Sequence, residues 1–248
     1  MPDQTATAIV TGHSRGLGAA IAAELLARGA RVLGLARRGN PALAEAYPEA
    51  LAEVALDLAD PAALAEWLGG DRLRLHLTGA GPVLLVNNAG MVEPIGPAGT
   101  LDPAAIARAV ALNVTAPLML ADTLIAATTG APDRRVLHVS SGAARNAYPG
   151  WSLYCATKAA LDHHARAVAE DKRPGLRIES LAPGVIDTDM QAAIRATTEA
   201  QFTMRERFVG LKESGGLSSP EDCARRLVAH LTGPAFGASP VTDLRDFG

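Results

Sequence analysis

Cysteine is nearly absent. Cys155 and Cys223 are the only two in 248 residues, and they form no spaced set. That excludes a disulfide framework and the ligand spacing of a zinc site. Aromatic residues are scarce at 4%. Excess positive charge is missing too. The formal net charge is −3, and runs such as Ala36-Arg37-Arg38 and Asp133-Arg134-Arg135 are too short for the basic stripe of a nucleic-acid binder. No uninterrupted apolar run approaches the ~18 residues that a membrane span needs. The opening MPDQTATAIV lacks the basic-then-apolar signature of a secretory leader. These absences lead to the expectation of a soluble, cytoplasmic protein with no nucleic-acid or membrane partner.

What is present is alternation. Short β-prone runs at 7–10, 31–36, 51–56, 83–86, 135–139, 177–182 and 240–243 are separated by helical stretches. The latter fall near 16–28, 42–47, 61–68, 103–127, 151–171, 189–212 and 220–231. Asp60-Pro61, Asp102-Pro103 and Ser219-Pro220 each set a capping side chain before a proline at the first helical position. Strand–helix alternation with near-continuous apolar strands predicts an α/β fold. Its core would be a doubly wound parallel sheet of about seven strands, covered on both faces. No linker or repeat interrupts it, so residues 1–248 read as a single domain. The segment 189–218, with scattered apolar residues and a flexible ESGG end, reads as a substrate lid; the alternative is a plain surface helix pair.

Directly after the first strand comes TGHSRGLG, residues 11–18. Gly12, Gly16 and Gly18 permit a tight turn and close approach of the backbone to a pyrophosphate. The helix beginning there aims free N–H groups and its positive dipole end at that anion. The second strand is followed not by the acid that accepts from a ribose hydroxyl but by Arg37 and Arg38. Arg15 lies in reach of the same place. Paired guanidinium groups suit the 2′-phosphate of NADP, and NADP(H) is the expected cofactor, with Arg37 preferred over Arg38 as the phosphate ligand. Asp57-Leu58 after the third strand and Asn87-Asn88-Ala89-Gly90 after the fourth lie at carboxyl ends of strands, where an open α/β sheet binds its ligand. Asp57 is placed to accept from an adenine amino group, or equally to serve as a turn residue.

Tyr154 and Lys158 stand four apart in GWSLYCATKAALDHH, so one helix stacks them on the same face. An ammonium beside a tyrosine stabilises the phenolate and draws its pKa down toward working range. Ser140 and Ser141 end the fifth strand, and Ser141 lies thirteen residues before the tyrosine. A hydroxyl there is positioned to orient a carbonyl oxygen.

Four ordered motifs, T-G-x-x-x-G-x-G, N-N-A-G, a serine thirteen before Y-x-x-x-K, and P-G after the sixth strand, resemble the short-chain dehydrogenases/reductases over almost the whole chain. The resemblance implies a Rossmann-type fold and roles for matching positions. Tyr154 would be the acid/base, Lys158 would tune it and hold the nicotinamide ribose, Ser141 would position the carbonyl, and Asn113 would hold a water in the proton relay. Gly12, Ser14, Arg15, Gly16, Leu17, Gly18, Arg37, Asp57, Leu58, Asn87, Asn88, Ala89 and Gly90 would seat the cofactor. Pro183, Gly184, Val185 and Thr188 would join them beyond the sixth strand. Within the family the likeness is closest to sepiapterin-reductase and benzil-reductase-like enzymes, through GWSLYCATKAALD and APGVIDTDMQ. The tail GASPVTDLRD resembles the end that carries a pterin-binding aspartate; Asp246 fits best and Asp243 competes. A homodimer or homotetramer is implied by the resemblance alone.

Other residues read more plainly. His163 and His164 are adjacent, so a helix points them apart, and no metal site is expected. His138 reads as a core histidine and Cys155 as a packing residue. Trp151 is either a wall for a flat substrate or packing for the helix start; Met190 joins it as a candidate substrate contact. The expected activity is NADPH-dependent reduction of a small-molecule ketone or diketone. The alternatives are another ketone or a secondary alcohol, and, from a different class, a non-catalytic dinucleotide sensor.

Overall fold

The computed structural model describes residues 5–78 and 81–247. Its strands are β1 (Thr7–Thr11), β2 (Arg31–Ala36), β3 (Leu51–Ala55), β4 (Val83–Asn87), β5 (Arg134–Val139), β6 (Leu176–Ala182) and β7 (Val241–Asp243). They form one seven-stranded sheet in the order β3-β2-β1-β4-β5-β6-β7, with every pair parallel. The helices are α1 (Gly16–Ala27), α2 (Pro41–Ala46), α3 (Pro61–Gly69), α4 (Arg72–His76), α5 (Pro103–Val110), α6 (Ala116–Ala127), α7 (Ser152–Glu170), α8 (Asp189–Arg195), α9 (Arg205–Glu213) and α10 (Pro220–Thr232).

The sheet is apolar on both faces because each strand sends alternate side chains to opposite sides. Ala8 and Val10 of β1, Leu84 and Val86 of β4, and Leu137 and Val139 of β5 meet α1 and α10 through Ile21, Leu25, Leu227 and Leu231. The intervening Ile9, Leu85 and Val136 meet α3, α6 and α7 through Leu64, Leu120, Leu124 and Ala165. Each such fully buried Leu or Ile contributes about 1.5–3 kcal/mol.

The helix starts follow their caps. Asp60, Asp102 and Ser219 each accept from backbone N–H groups two or three residues on, ahead of a proline. Asn40 does the same for α2. Three elements differ from the sequence expectation. Residues 103–127 form one continuous helical run, but a π-helical turn, Ala111–Thr115, separates α5 from α6. The stretch 189–212 is two helices, not one. The short α4 has no counterpart among the expected helices. By length and composition Pro103–Ala127 could cross a membrane, with a mean hydropathy of 1.6. Half of that window is instead packed inside the fold.

Candidate active site

Strand order reverses between β1 and β4, and the crevice at such a switch point is where an open α/β sheet binds its ligand. The glycine loop leaves β1 there and Asn88-Ala89-Gly90 leaves β4. Thr11 ties them together: its hydroxyl accepts from the N–H groups of Asn88 (2.9 Å) and Ala89 (3.0 Å), and its carbonyl accepts from the Asn88 amide (3.0 Å). Gly12 and Gly16 adopt positive φ (71° and 55°). At Gly18 a Cβ would land on the Gly12 carbonyl oxygen and the Asn88 amide, so only glycine fits. Arg15, the residue before α1, gives no side-chain cap, which leaves the first N–H groups of the helix free to meet an anion. Ser14 lies half-buried in this loop, whereas the Leu17 and Leu58 side chains belong to the core.

The neighbouring corner holds the residues expected at the adenosine end of a cofactor. Arg37 is exposed and close enough to Asp57 to draw its acidity. Arg15, expected beside Arg37, instead pairs with Asp189 at the start of α8 (2.6 Å). Asp57 is already engaged: it accepts from Arg108 (2.8 Å) and from the Ala59 N–H (3.0 Å). Burial opposes its charge, but these bonds and the Arg108 and Arg37 charges hold it below the usual carboxylate range. The corner also contains a carboxylate that linear reading misses. Register pairs Gly34 with Glu53, which brings Glu53 to the buried His13 of the glycine loop (2.6 Å) and to the Asn40 N–H (2.6 Å). Glu53 is thus occupied within the protein, and Arg37 and Arg38 remain as exposed charges.

The second half of the site is built on α7. Tyr154 and Lys158 are both buried on its inner face. The Lys158 Nζ donates to the Val139 carbonyl (2.8 Å) and lies 5.8 Å from the Tyr154 ring centroid. Burial pushes the Tyr154 hydroxyl up to about 12, against a downward pull from the Ser141 hydroxyl. The expected lowering by Lys158 is not realised here, because burial dominates and the ammonium is turned to a backbone carbonyl. Lys158 itself is pushed down to about 8 by burial, opposed by Asp162. Ser141 follows β5, half-buried, and accepts from the Ala143 N–H (3.2 Å). Its neighbour Ser140 is buried and turned away, bonded to Asp162 (2.6 Å).

Asn113 sits in the π-helical turn, a distortion found disproportionately at functional sites. Its amide donates to the Met91 carbonyl (2.8 Å) and to Thr157 Oγ1 (3.2 Å), and its Oδ1 accepts from the Met91 N–H (2.9 Å). Gly90 closes this corner: a Cβ there would stand 3.3 Å from Asn113 Oδ1 and 3.6 Å from Lys158 Nζ. The structure therefore brings Gly90, Asn113, Tyr154, Lys158 and Ser141 to one carboxyl edge of the sheet.

Beyond β6, Pro183-Gly184-Val185 turns back toward the crevice, with Gly184 at φ 87°. Thr188 reaches the glycine loop, 3.5 Å from where a Gly16 Cβ would lie. Segment 189–213 packs on the start of α7. Trp151 stacks on Phe202 (4.6 Å, 10°) and meets Tyr154 edge-on (5.4 Å). It is only 5% exposed, so packing, not an open substrate wall, is its evident use. Met190 lies against the same cluster. At the carboxyl end Asp243 is buried and held by Arg245 through two bonds (2.8 and 2.7 Å). Asp246 is exposed. His138, buried, accepts from Asn87 (3.2 Å) and meets His164 (3.1 Å).

Known proteins agree with this geometry. Residues 6–199 match the family model for the short chain dehydrogenase. A benzil reductase ((S)-benzoin forming) of Bacillus cereus is 38% identical over 226 residues, covering 88% of this chain and 91% of its own. A sepiapterin reductase of Meriones unguiculatus is 34% identical and covers 97% of each chain. The crystal structure of a short-chain dehydrogenase/reductase from Burkholderia vietnamiensis aligns with TM-score 0.71 and 50% identity over 98% of each chain. The chain belongs to the short-chain dehydrogenase/reductase family of oxidoreductases, which use nicotinamide dinucleotide cofactors, and it is related to benzil and sepiapterin reductases.

Proposed function

We propose that this protein is an NADPH-dependent carbonyl reductase acting on a ketone or diketone. The observation that carries the reading is the burial of Tyr154 and Lys158 beside Ser141, across the crevice from the glycine cradle. The residues fit a dinucleotide. The bare α1 N-terminus and the Gly12–Gly18 turn would take the pyrophosphate, the exposed Arg37 the 2′-phosphate, and Gly90, Thr188 and the Pro183–Val185 turn the nicotinamide half. A bound nicotinamide supplies the hydride that the carbonyl carbon accepts. The protein's own part is the proton. Tyr154, kept a neutral phenol by burial, donates its O–H proton to the oxygen as negative charge develops there. Ser141 donates a second hydrogen bond to that oxygen and fixes the face presented. Lys158 compensates the phenolate left behind, and Asn113 anchors the route by which the proton is replaced. General acid assistance of this kind contributes about 10²–10⁴-fold.

The likeness to benzil and sepiapterin reductases supports an aromatic dicarbonyl or pterin-like substrate. Exposed Asp246 is its candidate polar contact, in preference to Asp243, whose carboxylate is engaged. Segment 189–218 acts as the lid in this reading, and the protein works as a cytoplasmic homodimer or homotetramer. The test is NADPH oxidation against a panel of ketones, diketones and pterins, with Tyr154→Phe as control. Cofactor binding without turnover across the panel favours the dinucleotide sensor instead.

A further inference from the structure

Asp162 is a buried carboxylate that the proposed reaction does not use. It lies one helical turn after Lys158 on the inner face of α7, and both side chains are buried. Its Oδ1 accepts from Ser140 at the end of β5 (2.6 Å) and from Ser180 of β6 (2.7 Å). Its Oδ2 has no hydrogen bond among the described residues and lies 3.5 Å from Arg145 Nε. Arg145 is itself fixed, donating to the Thr242 carbonyl (3.1 Å). Residues from separate parts of the fold thus converge on one buried carboxylate behind Lys158. A buried charge without partners is costly, and a buried carboxylate one helical turn away on the same face is a natural counter-charge for a buried ammonium.

We propose that Asp162 is the counter-charge that keeps Lys158 an ammonium, making it a positioning residue for the Tyr154–Lys158 pair. The inference rests on the reading of that pair as the proton-donating site. The other groups around Lys158 do not provide this charge. Tyr154 is neutral. His138 of β5 is also neutral, pushed down to about 3 by burial and by the nearby His164 and Lys158. Asn113 from the π-helical turn carries no charge. Glu179 of β6 bonds His230, Thr242 and the Gly237 N–H instead. Arg145 is a competitor: it draws on the same carboxylate from the other side.

A purely structural role would pin α7 to β5 and β6, and Asp162→Asn separates the two. The amide oxygen still accepts from both serines, but the charge is gone. Lys158 can be observed directly, because the chain has only three lysines and the other two, Lys172 and Lys212, are exposed. In lysine-selective NMR of the whole protein, the Lys158 titration should move down by about one pH unit in Asp162→Asn. The high-pH fall of kcat/KM should move with it. Arg145→Gln removes the competitor and should move the same midpoint up, by less; it also serves if the asparagine variant fails to fold. A Lys158 midpoint unmoved in a folded Asp162→Asn variant, or moved down in Arg145→Gln, overturns the proposal. Shifted midpoints without turnover on any carbonyl support the counter-charge and count against the reaction.

Discussion

Lys158→Met tests whether a buried ammonium is held at the centre of the site at a cost to stability. In the folded protein the group titrates at about 8 against an ordinary 10.5, chiefly because burial disfavours its charge. Between those values the unfolded chain binds a proton that the folded chain does not. Stability of the wild type therefore rises with pH across that window, by about 1.4 kcal/mol per unit. Integrated over the shift, the gain is about 3 kcal/mol, fully in place only above 10.5 and absent below 8. The variant has no such group. Urea unfolding of both proteins from pH 7 to 10.5 isolates the effect, since other groups largely cancel in the difference. Wild type should gain about 3 kcal/mol on Lys158→Met across the window. A flat difference would mean that Lys158 keeps its ordinary value in the fold, and would refute the stability cost assigned to its burial.

Two other perturbations probe the segment 189–218 and the cofactor corner. Phe202 is fully buried and stacked on Trp151, so Phe202→Ala should cost about 3–5 kcal/mol and lower Tm by on the order of 10 °C by calorimetry; an unchanged Tm would mean that the segment melts independently of the sheet. Arg37→Asp removes one charge-assisted contact and adds repulsion, so kcat/KM for NADPH should fall roughly ten- to hundredfold while that for NADH does not. Equal use of both cofactors by the wild type contradicts the assignment of Arg37.

The sheet was legible because its cues are local. The apolar runs mark all seven strands to within a residue or two, and Asp60, Asp102 and Ser219 sit before prolines where helices begin. The same holds for the glycine loop and for the Tyr154–Lys158 spacing. What was hidden depends on contacts between distant segments. Glu53 reaches His13 only because β3 pairs with β2, and Arg15 meets Asp189 across 174 positions. The π-helical turn at Asn113 leaves no mark in composition, since its residues suit an α-helix equally well. The break in 189–212 did have a signal. Thr198 and Gln201 bond each other reciprocally, in the T-x-x-Q spacing of a capping box. That turn brings Phe202 back onto Trp151, and Gly150 (φ 80°) leaves room for the Gln201 carbonyl. Asp162 was legible only as part of a helix. Its meaning depends on Ser140, just beyond β5, and Ser180 of β6, which lie far apart in sequence.

The most direct test of the central claim is single-turnover reduction of an active diketone by NADPH, comparing wild type with Tyr154→Phe. Removing the O–H leaves the ring packing against Trp151 intact, so cofactor affinity should be unchanged while the chemical step slows about 10²–10⁴-fold. A Tyr154→Phe variant that reduces the diketone at the wild-type rate would show that the proton comes from elsewhere and contradict the account.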